Sequence, residues 1–139
     1  MSHPKTYLYR QTVQAKLFMD DHYSEDINLD HISGKAFFSK FHFIRLFKNI
    51  YGRTPHQYLA HVRLEQSKIL LAKGHSVSDA CQSVGFMSIG SFTTLFKRTY
   101  HFTPSAYQHH QLKIQMDLRH RPLKYIPNCF ADAYGWSMK

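Results

Sequence analysis

Cysteine is scarce in this sequence, and long apolar runs are absent from it. The two cysteines, Cys81 and Cys129, are too few for a disulfide framework, so we expect free thiols in a reducing compartment. No stretch approaches the roughly 20 apolar residues that a membrane-spanning helix needs. The first residues also lack the apolar segment of a signal peptide. These absences predict a soluble, cytoplasmic protein without a membrane partner.

Signatures of catalysis and metal binding are missing as well. The sequence contains no glycine-rich phosphate loop and no recognisable nucleophile with a matched base. Among its 11 histidines, the nearest to a cluster are His109, His110 and His120, and no His or Cys pair has a convincing zinc spacing. We therefore predict that the chain is not an enzyme and uses no metal and no cofactor.

Acidic residues are few compared with basic ones. The chain carries 9 Asp and Glu against 18 Lys and Arg, a formal net charge of +9. This excess favours a polyanionic partner, either DNA, RNA or an acidic membrane surface, and charge alone does not choose among them. The basic residues are not gathered on one amphipathic helix, which disfavours the membrane. Aromatic bulk is plentiful, with 11 Phe and 9 Tyr, so most of the chain should fold.

A repeat with a shift of 49 residues runs through the chain. Ten residues of the first copy coincide with identical residues of the second across about twenty positions, which indicates a duplicated supersecondary unit. In the first copy they are Phe37, Ser39, Phe43, Leu46, Phe47, Lys48, Tyr51, Thr54, Pro55 and Tyr58. In the second they are Phe86, Ser88, Phe92, Leu95, Phe96, Lys97, Tyr100, Thr103, Pro104 and Tyr107.

Each copy has the pattern of a helix-turn-helix. An amphipathic helix with a single buried face follows a serine N-cap, Ser39 or Ser88, and in the first copy it ends at Gly52. The buried face is expected to carry Phe43, Leu46, Phe47 and Ile50 in the first copy, and Phe92, Leu95 and Phe96 in the second. A shorter helix should precede each, capped by Asn28 and by Ser76. The inward residues of these shorter helices should be Leu29, Ile32 and Ala36, then Val77, Ala80, Cys81 and Val84.

The pattern as a whole predicts an all-α fold of about seven helices, with two helix-turn-helix subdomains joined by a long linking helix. We expect the first subdomain over residues 6–54, the linking helix over 55–73 and the second subdomain over 74–110. The first helix, from Thr6 to His22, offers Val13, Leu17 and Met19 as core candidates. Residues 111–139 form an extension of unknown role, whose aromatic residues should pack back on the domain or dock a partner.

The helical wheel identifies the outward face of each longer helix. In the first copy this face carries Phe41, Ile44, Arg45 and Lys48, and in the second Gly90, Thr93, Thr94 and Lys97. In a helix-turn-helix such a face enters the major groove of DNA, where Arg45 could pair with guanine and the threonines with base edges. The apolar Phe41 and Ile44 fit either contact with thymine methyl groups or a buried position. The predicted phosphate contacts are Ser39, Lys40, Lys48, Lys97 and Arg98.

A known family shares a set of short motifs with this sequence. The shared motifs are Phe38 to Lys48, Gly52 to Pro55, Tyr58-Leu59, Arg63-Leu64, Leu70-Leu71, Val84 to Phe86, Phe92, Leu95 to Lys97 and Thr103 to Tyr107. Residues from about 8 to 110 thereby resemble the DNA-binding domain of the AraC/XylS family of bacterial transcription regulators. The resemblance implies base contacts by Phe41, Ile44 and Arg45, and by Ile89, Gly90, Ser91, Thr93 and Thr94. It also implies an activator on double-stranded DNA of the bacterial nucleoid that touches RNA polymerase. A monomer on DNA is expected from the internal repeat, which supplies in one chain the spacing that a dimer obtains by symmetry.

Three positions depart from the family pattern. Thr94 stands where a basic residue is common, His101 replaces a usual glycine, and Gln108 replaces a usual arginine. The chain also has no room for the separate effector domain of most members, so it is either a stand-alone regulator or a fragment. The outward face of the second copy offers two threonines, a glycine and one lysine for contact with DNA. The main alternative is therefore a protein-interaction module without specific DNA binding, such as an anti-activator. A non-specific nucleic-acid binder is the other alternative.

Overall fold

The computed structural model describes residues 4–28, 30, 40–121 and 126–127. Within these residues the chain forms helices and no strand. Numbered along the chain, the helices are α1 (Pro4–His22), α2 (Lys40–Tyr51), α3 (Pro55–Ala72), α4 (Val77–Ser83), α5 (Ile89–Tyr100) and α6 (Pro104–His120). The predicted all-α architecture, with two helix-turn-helix units joined by the long helix α3, is confirmed.

Several predictions concern residues outside the described part. Among them are the short helix expected before α2, with Leu29, Ile32 and Ala36, and the N-cap Ser39. Cys129 and the aromatic residues of the C-terminal extension are others. At the predicted start of that short helix, the Asn28 side-chain oxygen accepts a hydrogen bond from the backbone N–H of Asp30 at 2.9 Å, which is N-cap geometry.

Matching Thr-Pro pairs begin the helices that follow α2 and α5. The Thr54 hydroxyl accepts from the backbone N–H of Gln57, whose side chain in turn accepts from the Thr54 N–H, and Pro55 follows as the first helical residue. Thr103 caps α6 in the same way, by accepting from the backbone N–H of Ala106 at 3.2 Å. Each pair satisfies N–H groups that the helix leaves without partners. Local sequence therefore sets both starts.

Two hydrophobic clusters form the interior, one for each unit. The first contains Ala15, Met19, Phe43, Phe47 and Leu59. The second contains Leu64, Leu71, Ala80, Cys81, Phe92 and Phe96. The linking helix α3 contributes Leu59 to the first cluster and Leu64 with Leu71 to the second, so one continuous helix supports both units.

The duplication extends further than the sequence comparison indicated. The buried residues of α1 are Thr12, Ala15 and Met19, and those of the second half of α3 are Leu64, Ser67 and Leu71. Both triplets have the spacing 0, 3, 7, and they are related by a shift of 52 residues instead of 49. The first copy is therefore three residues longer from the buried triplet of α1 to the buried phenylalanines of α2 than the second copy is from the buried triplet of α3 to those of α5. The first half of α3 is therefore the last helical segment of the first unit, and its second half is the first helical segment of the second unit.

The core of α1 differs from the prediction. Met19 is buried as expected, but Val13 and Leu17 are 40% and 51% exposed. The inward face instead carries Thr12, whose hydroxyl donates a hydrogen bond to the carbonyl oxygen of Leu8 at 2.9 Å. That bond lets a polar residue lie in the interior without an unpaired group. Ile50 of α2 is also exposed, contrary to the predicted stripe.

The turns after α2 and α5 are equivalent and contain different residues. Gly52 has φ +75°, and His101, 49 positions later, has φ +71°. In both turns the backbone N–H of this residue donates to the carbonyl oxygen four residues earlier at 2.8 Å. His101 is the only residue other than glycine with a positive φ in the described part of the chain. This conformation is unfavourable for a residue with a Cβ.

Helix α6 continues to His120, ten residues past the expected end of the second unit at position 110. It is held against the end of α3 by two glutamines. Gln108 donates its side-chain N–H groups to the carbonyl oxygens of Leu71 and His75, and Gln115 donates to that of Ala72 at 2.9 Å. These bonds satisfy carbonyl groups at and just beyond the C-terminus of α3.

Candidate nucleic-acid interface

Helices α2 and α5 present similar surfaces in the two units. Each buries two phenylalanines, Phe43 with Phe47 and Phe92 with Phe96. Neither helix contains an aspartate or a glutamate, although each carries two or more Lys or Arg residues. Their exposed faces are therefore positive, which suits a polyanion.

Tyrosine rings pack against the buried phenylalanines of both helices. In the first unit, Phe47 lies 4.7 Å from Tyr51 and 5.5 Å from Tyr58, measured between ring centroids. In the second unit, Phe96 lies 4.7 Å from Tyr100 and 5.7 Å from Tyr107. Equivalent rings thus make equivalent contacts, and they pack against the buried faces of α2 and α5.

Each tyrosine cluster also contains a hydrogen bond to a carboxylate. The Tyr58 hydroxyl donates to Asp20 of α1, which also forms an ion pair with Lys16 at 2.7 Å. The Tyr100 hydroxyl donates to Glu65 of α3. Burial, followed by the hydrogen bond to Asp20, raises the pKa of Tyr58 to about 12. Burial and the Glu65 carboxylate raise the pKa of Tyr100 in the same direction. Both phenols therefore remain neutral donors at physiological pH.

The predicted base-contacting residues of the first unit lie at different depths. Phe41 is 75% exposed, and Arg45 is exposed. Ile44 is half-buried and packs against the first cluster. Packing therefore explains the apolar character of Ile44, whereas nothing in the described part of the chain covers most of Phe41.

The second unit presents a smaller and less charged set at the start of α5. Ile89 is 48% exposed, Gly90, Ser91 and Thr94 are exposed, and Thr93 is half-buried. The Ser88 hydroxyl accepts from the backbone N–H of Ser91 at 3.3 Å, as the predicted N-cap should. The structure thus brings the predicted residues together on the first two turns of α5.

Gly90 is not required by the fold. Among the described residues, a Cβ at this position would meet only the Ser88 hydroxyl, at an ordinary contact distance of 3.5 Å. Glycine also costs about 1 kcal/mol relative to alanine inside a helix. A residue without a side chain at an exposed site is what close approach of another molecule to the backbone would need.

The predicted phosphate-contacting cations are all exposed: Lys40, Lys48, Lys97 and Arg98. Ser39, the other member of that set, lies outside the described residues. The Lys40 ammonium forms an ion pair with Asp30 at 2.6 Å. Both side chains are exposed, and pairs of this kind contribute about 0–1 kcal/mol, so the pair leaves Lys40 available to an anion.

Met87 is an exposed residue that the sequence did not single out. It is 97% exposed and directly precedes the N-cap Ser88. Its neighbour Phe86 packs against the second cluster, so the chain direction at the start of α5 turns Met87 outward. The signal in the sequence was its position between a buried aromatic residue and a helix cap.

The described residues hold no group of three or more His, Cys, Asp and Glu side chains placed to bind a metal ion. None of the described helices is both long and apolar enough to cross a lipid bilayer.

Comparison with known sequences places the chain among bacterial regulators. A family model described as a helix-turn-helix domain matches residues 32–110, more than half of the chain. The probable transcriptional regulator LumQ of Photobacterium leiognathi is 36% identical over 92 residues, which are 66% of this chain and 37% of LumQ. The regulatory protein SoxS of Salmonella typhimurium is 26% identical over 103 residues, which are 73% of this chain and 96% of SoxS. The chain thus spans little more than a third of LumQ and nearly all of SoxS.

Solved structures share the fold. The DNA-binding domain of AdpA, determined in complex with a target DNA, has a TM-score of 0.67 at 24% identity and covers 80% of this chain and 96% of that chain. An AraC-type regulator from Chromobacterium violaceum has a TM-score of 0.66 at 23% identity and covers 74% of this chain and 93% of that chain. Together with the sequence match over both helix-turn-helix units, these findings show that the chain belongs to the AraC/XylS family of DNA-binding transcriptional regulators.

Proposed function

We propose that the chain binds double-stranded DNA in a sequence-specific manner by inserting α2 and α5 into successive major grooves. The observation that carries this proposal is the pairing of two equivalent helices whose exposed faces bear cations and no carboxylate. A single such helix is common on protein surfaces. Two that are related by an internal repeat can address two grooves in one chain.

The length of α3 supports this geometry. Its 18 residues span roughly 27 Å at about 1.5 Å per residue. Successive major grooves on one side of B-DNA are about 34 Å apart. Each unit packs on a different half of α3, and this arrangement supports a separation of that order between α2 and α5.

Base recognition is assigned to the exposed face at the start of each helix. Arg45 would make bidentate hydrogen bonds to guanine, and Phe41 would contact a thymine methyl group. Ile44, being half-buried, would contribute only its outer edge. In the second unit we assign base contacts to Ile89, Gly90, Ser91, Thr93 and Thr94. We assign phosphate contacts to Ser39, Lys40, Lys48, Lys97 and Arg98.

The two units should contribute unequally to specificity. Arg45→Ala should reduce discrimination between the preferred duplex and one altered at the contacted base by about 5- to 150-fold, since a bidentate pair contributes about 1–3 kcal/mol. Thr94→Ala should reduce it by less than about tenfold, because it removes at most one neutral hydrogen bond. Gel-shift titration of both variants measures this, with the duplex selected by the wild-type chain from a random pool. A larger loss for Thr94→Ala would reverse the assignment.

Salt dependence separates this proposal from its alternatives. If Lys40, Lys48, Lys97 and Arg98 each neutralise one phosphate, log K should fall with log salt with a slope of about −3.6. A specific regulator should also prefer the selected duplex over a scrambled one by about a thousandfold or more. A non-specific binder would show the slope without the preference. A protein-interaction module, which the weak second face favours, would show neither.

We further propose that the chain acts on DNA as a monomer and as an activator that contacts RNA polymerase. The internal repeat supports the monomer, because it supplies within one chain the second recognition helix that a dimer would otherwise provide. A mass measurement on the protein–DNA complex tests the stoichiometry. Transcription in vitro from a promoter carrying the selected site, with and without the protein, tests activation.

A further inference from the structure

Arg63 lies on α3 at the boundary between the two clusters. Leu59, four residues earlier, belongs to the first cluster, and the next residue, Leu64, belongs to the second. The Arg63 side chain is half-buried. Burial lowers the pKa of its guanidinium, but an arginine keeps its charge in proteins.

The guanidinium holds the turn that follows α1. Its Nε donates to the carbonyl oxygen of Tyr23 at 2.7 Å, and its Nη2 donates to that of Glu25 at 2.9 Å. Both distances are those of strong hydrogen bonds from a charged donor. Tyr23 packs against the first cluster, so these bonds connect α3 to the first unit at the point where the second begins.

The same turn touches the second unit. A Cβ placed on Gly85, in the turn between α4 and α5, would lie 3.0 Å from the carbonyl oxygens of Tyr23 and Ser24 and 3.1 Å from Arg63 Nε. The Arg63 guanidinium carbon also lies 6.0 Å from the ring centroid of Phe86, which packs against the second cluster. The turn of one unit therefore lies directly against the turn of the other, and the Arg63 side chain borders both.

We propose that Arg63 is a positioning residue that holds the two helix-turn-helix units in one relative orientation, and so sets the half-site spacing that the chain accepts. The effect on half-site spacing rests on the proposed function, whereas the orientation of the two units is a property of the protein alone. Arg63 is absent from the predicted DNA-contacting set. Its effect on DNA would be exerted through the placement of α5 relative to α2.

The orientation can be measured without DNA. Spin labels at Asn49→Cys and Thr99→Cys, both exposed positions near the ends of α2 and α5, report the distance between the units when Cys81 and Cys129 are replaced by alanine. In this background Arg63→Met should broaden or shift the distance distribution by more than about 3 Å, close to the rise of one base pair. A distribution unchanged from that of the parent protein would overturn the proposal.

Spacing preference is the functional measurement. Duplexes with one base pair inserted or removed between the selected half-sites should bind the wild-type chain at least about tenfold more weakly. In Arg63→Met this ratio should drop at least about threefold, while affinity for a duplex carrying one half-site stays within about twofold of wild type. An equally sharp spacing preference in the variant would overturn the role on DNA.

Two further variants guard against simple loss of folding. Arg63→Lys keeps the charge and the apolar stem but replaces the planar fork of donors by a single nitrogen, so it should give the same changes in smaller measure. Tyr58→Phe is the matched control, because it removes a hydrogen bond of α3 to Asp20 away from Gly85, and it should leave the spacing preference unchanged. If the wild-type chain selects no DNA sequence, the proposed function fails, and the distance measurement still decides the role of Arg63.

Discussion

His101 is the residue at which the second copy of the repeat departs from the first, because the equivalent turn of the first copy contains Gly52. Both residues have a left-handed backbone, with φ of +71° and +75°. The His101 side chain is exposed, so its replacement by glycine loses little packing. His101→Gly should therefore stabilise the protein by relieving a backbone conformation that a Cβ disfavours.

The magnitude follows from two opposing terms. The left-handed conformation costs a residue with a Cβ about 1–2 kcal/mol. Glycine makes the unfolded chain more flexible, which offsets about 0.4–1 kcal/mol of that gain. The net increase in the free energy of unfolding should be about 0.5–1 kcal/mol, which corresponds to a rise in Tm of about 2–4 °C for a domain of this size.

Urea unfolding followed by circular dichroism, together with a thermal melt, measures this increase. Gly52→Ala provides the reverse control, since a Cβ there would have no described atom within 4 Å and would introduce the same two terms with the opposite sign. It should destabilise the protein by about 0.5–1 kcal/mol. Equal or lower stability of His101→Gly would refute the reasoning and would mean that the imidazole makes a favourable contact larger than the backbone cost.

Two other predictions concern stability. Gly85→Ala should destabilise the protein by about 2–4 kcal/mol, because it adds a close contact with two carbonyl oxygens to an unfavourable φ of +99°; urea unfolding beside Gly74→Ala, which adds only the backbone cost, checks this, and equal losses would contradict it. Tyr58 should make stability decline above about pH 10, because its phenol ionises near pH 10 in the unfolded chain while its folded-state pKa is about 12. Tyr58→Phe should make the decline shallower in urea titrations between about pH 9 and 11, and an unchanged slope would contradict the assignment.

Local chemistry made the helix boundaries predictable from the sequence. Ser76 and Ser88 cap α4 and α5 as expected, and Thr54 and Thr103 begin the helices that follow. A cap depends on residues within four positions of each other, so it can be recognised from the sequence alone. The prediction that the chain is not an enzyme agrees with its family, which is a class of DNA-binding regulators.

Contacts between distant segments were not predictable in this way. The apolar residues Val13 and Leu17 suggested a core face for α1, but the buried face instead includes Thr12, whose hydroxyl is satisfied within its own helix. No local pattern in the sequence connects Arg63 with Tyr23, whose carbonyl oxygen it binds from 40 positions away. The roles of the residues on the exposed faces of α2 and α5 remain predictions, since they depend on a molecule outside the chain.

The division of α3 between two cores constrains how such a protein can change. Adding one residue between Leu59 and Leu64 would turn everything after it by about 100° and advance it by about 1.5 Å. If both units bind one duplex as proposed, one of them would then be turned by more than a quarter of a revolution from its place on the DNA. A change in the length of α3 therefore alters the distance between the units and their relative rotation at the same time. New binding-site arrangements should accordingly arise through altered side chains on the exposed faces of α2 and α5 more readily than through a longer or shorter α3.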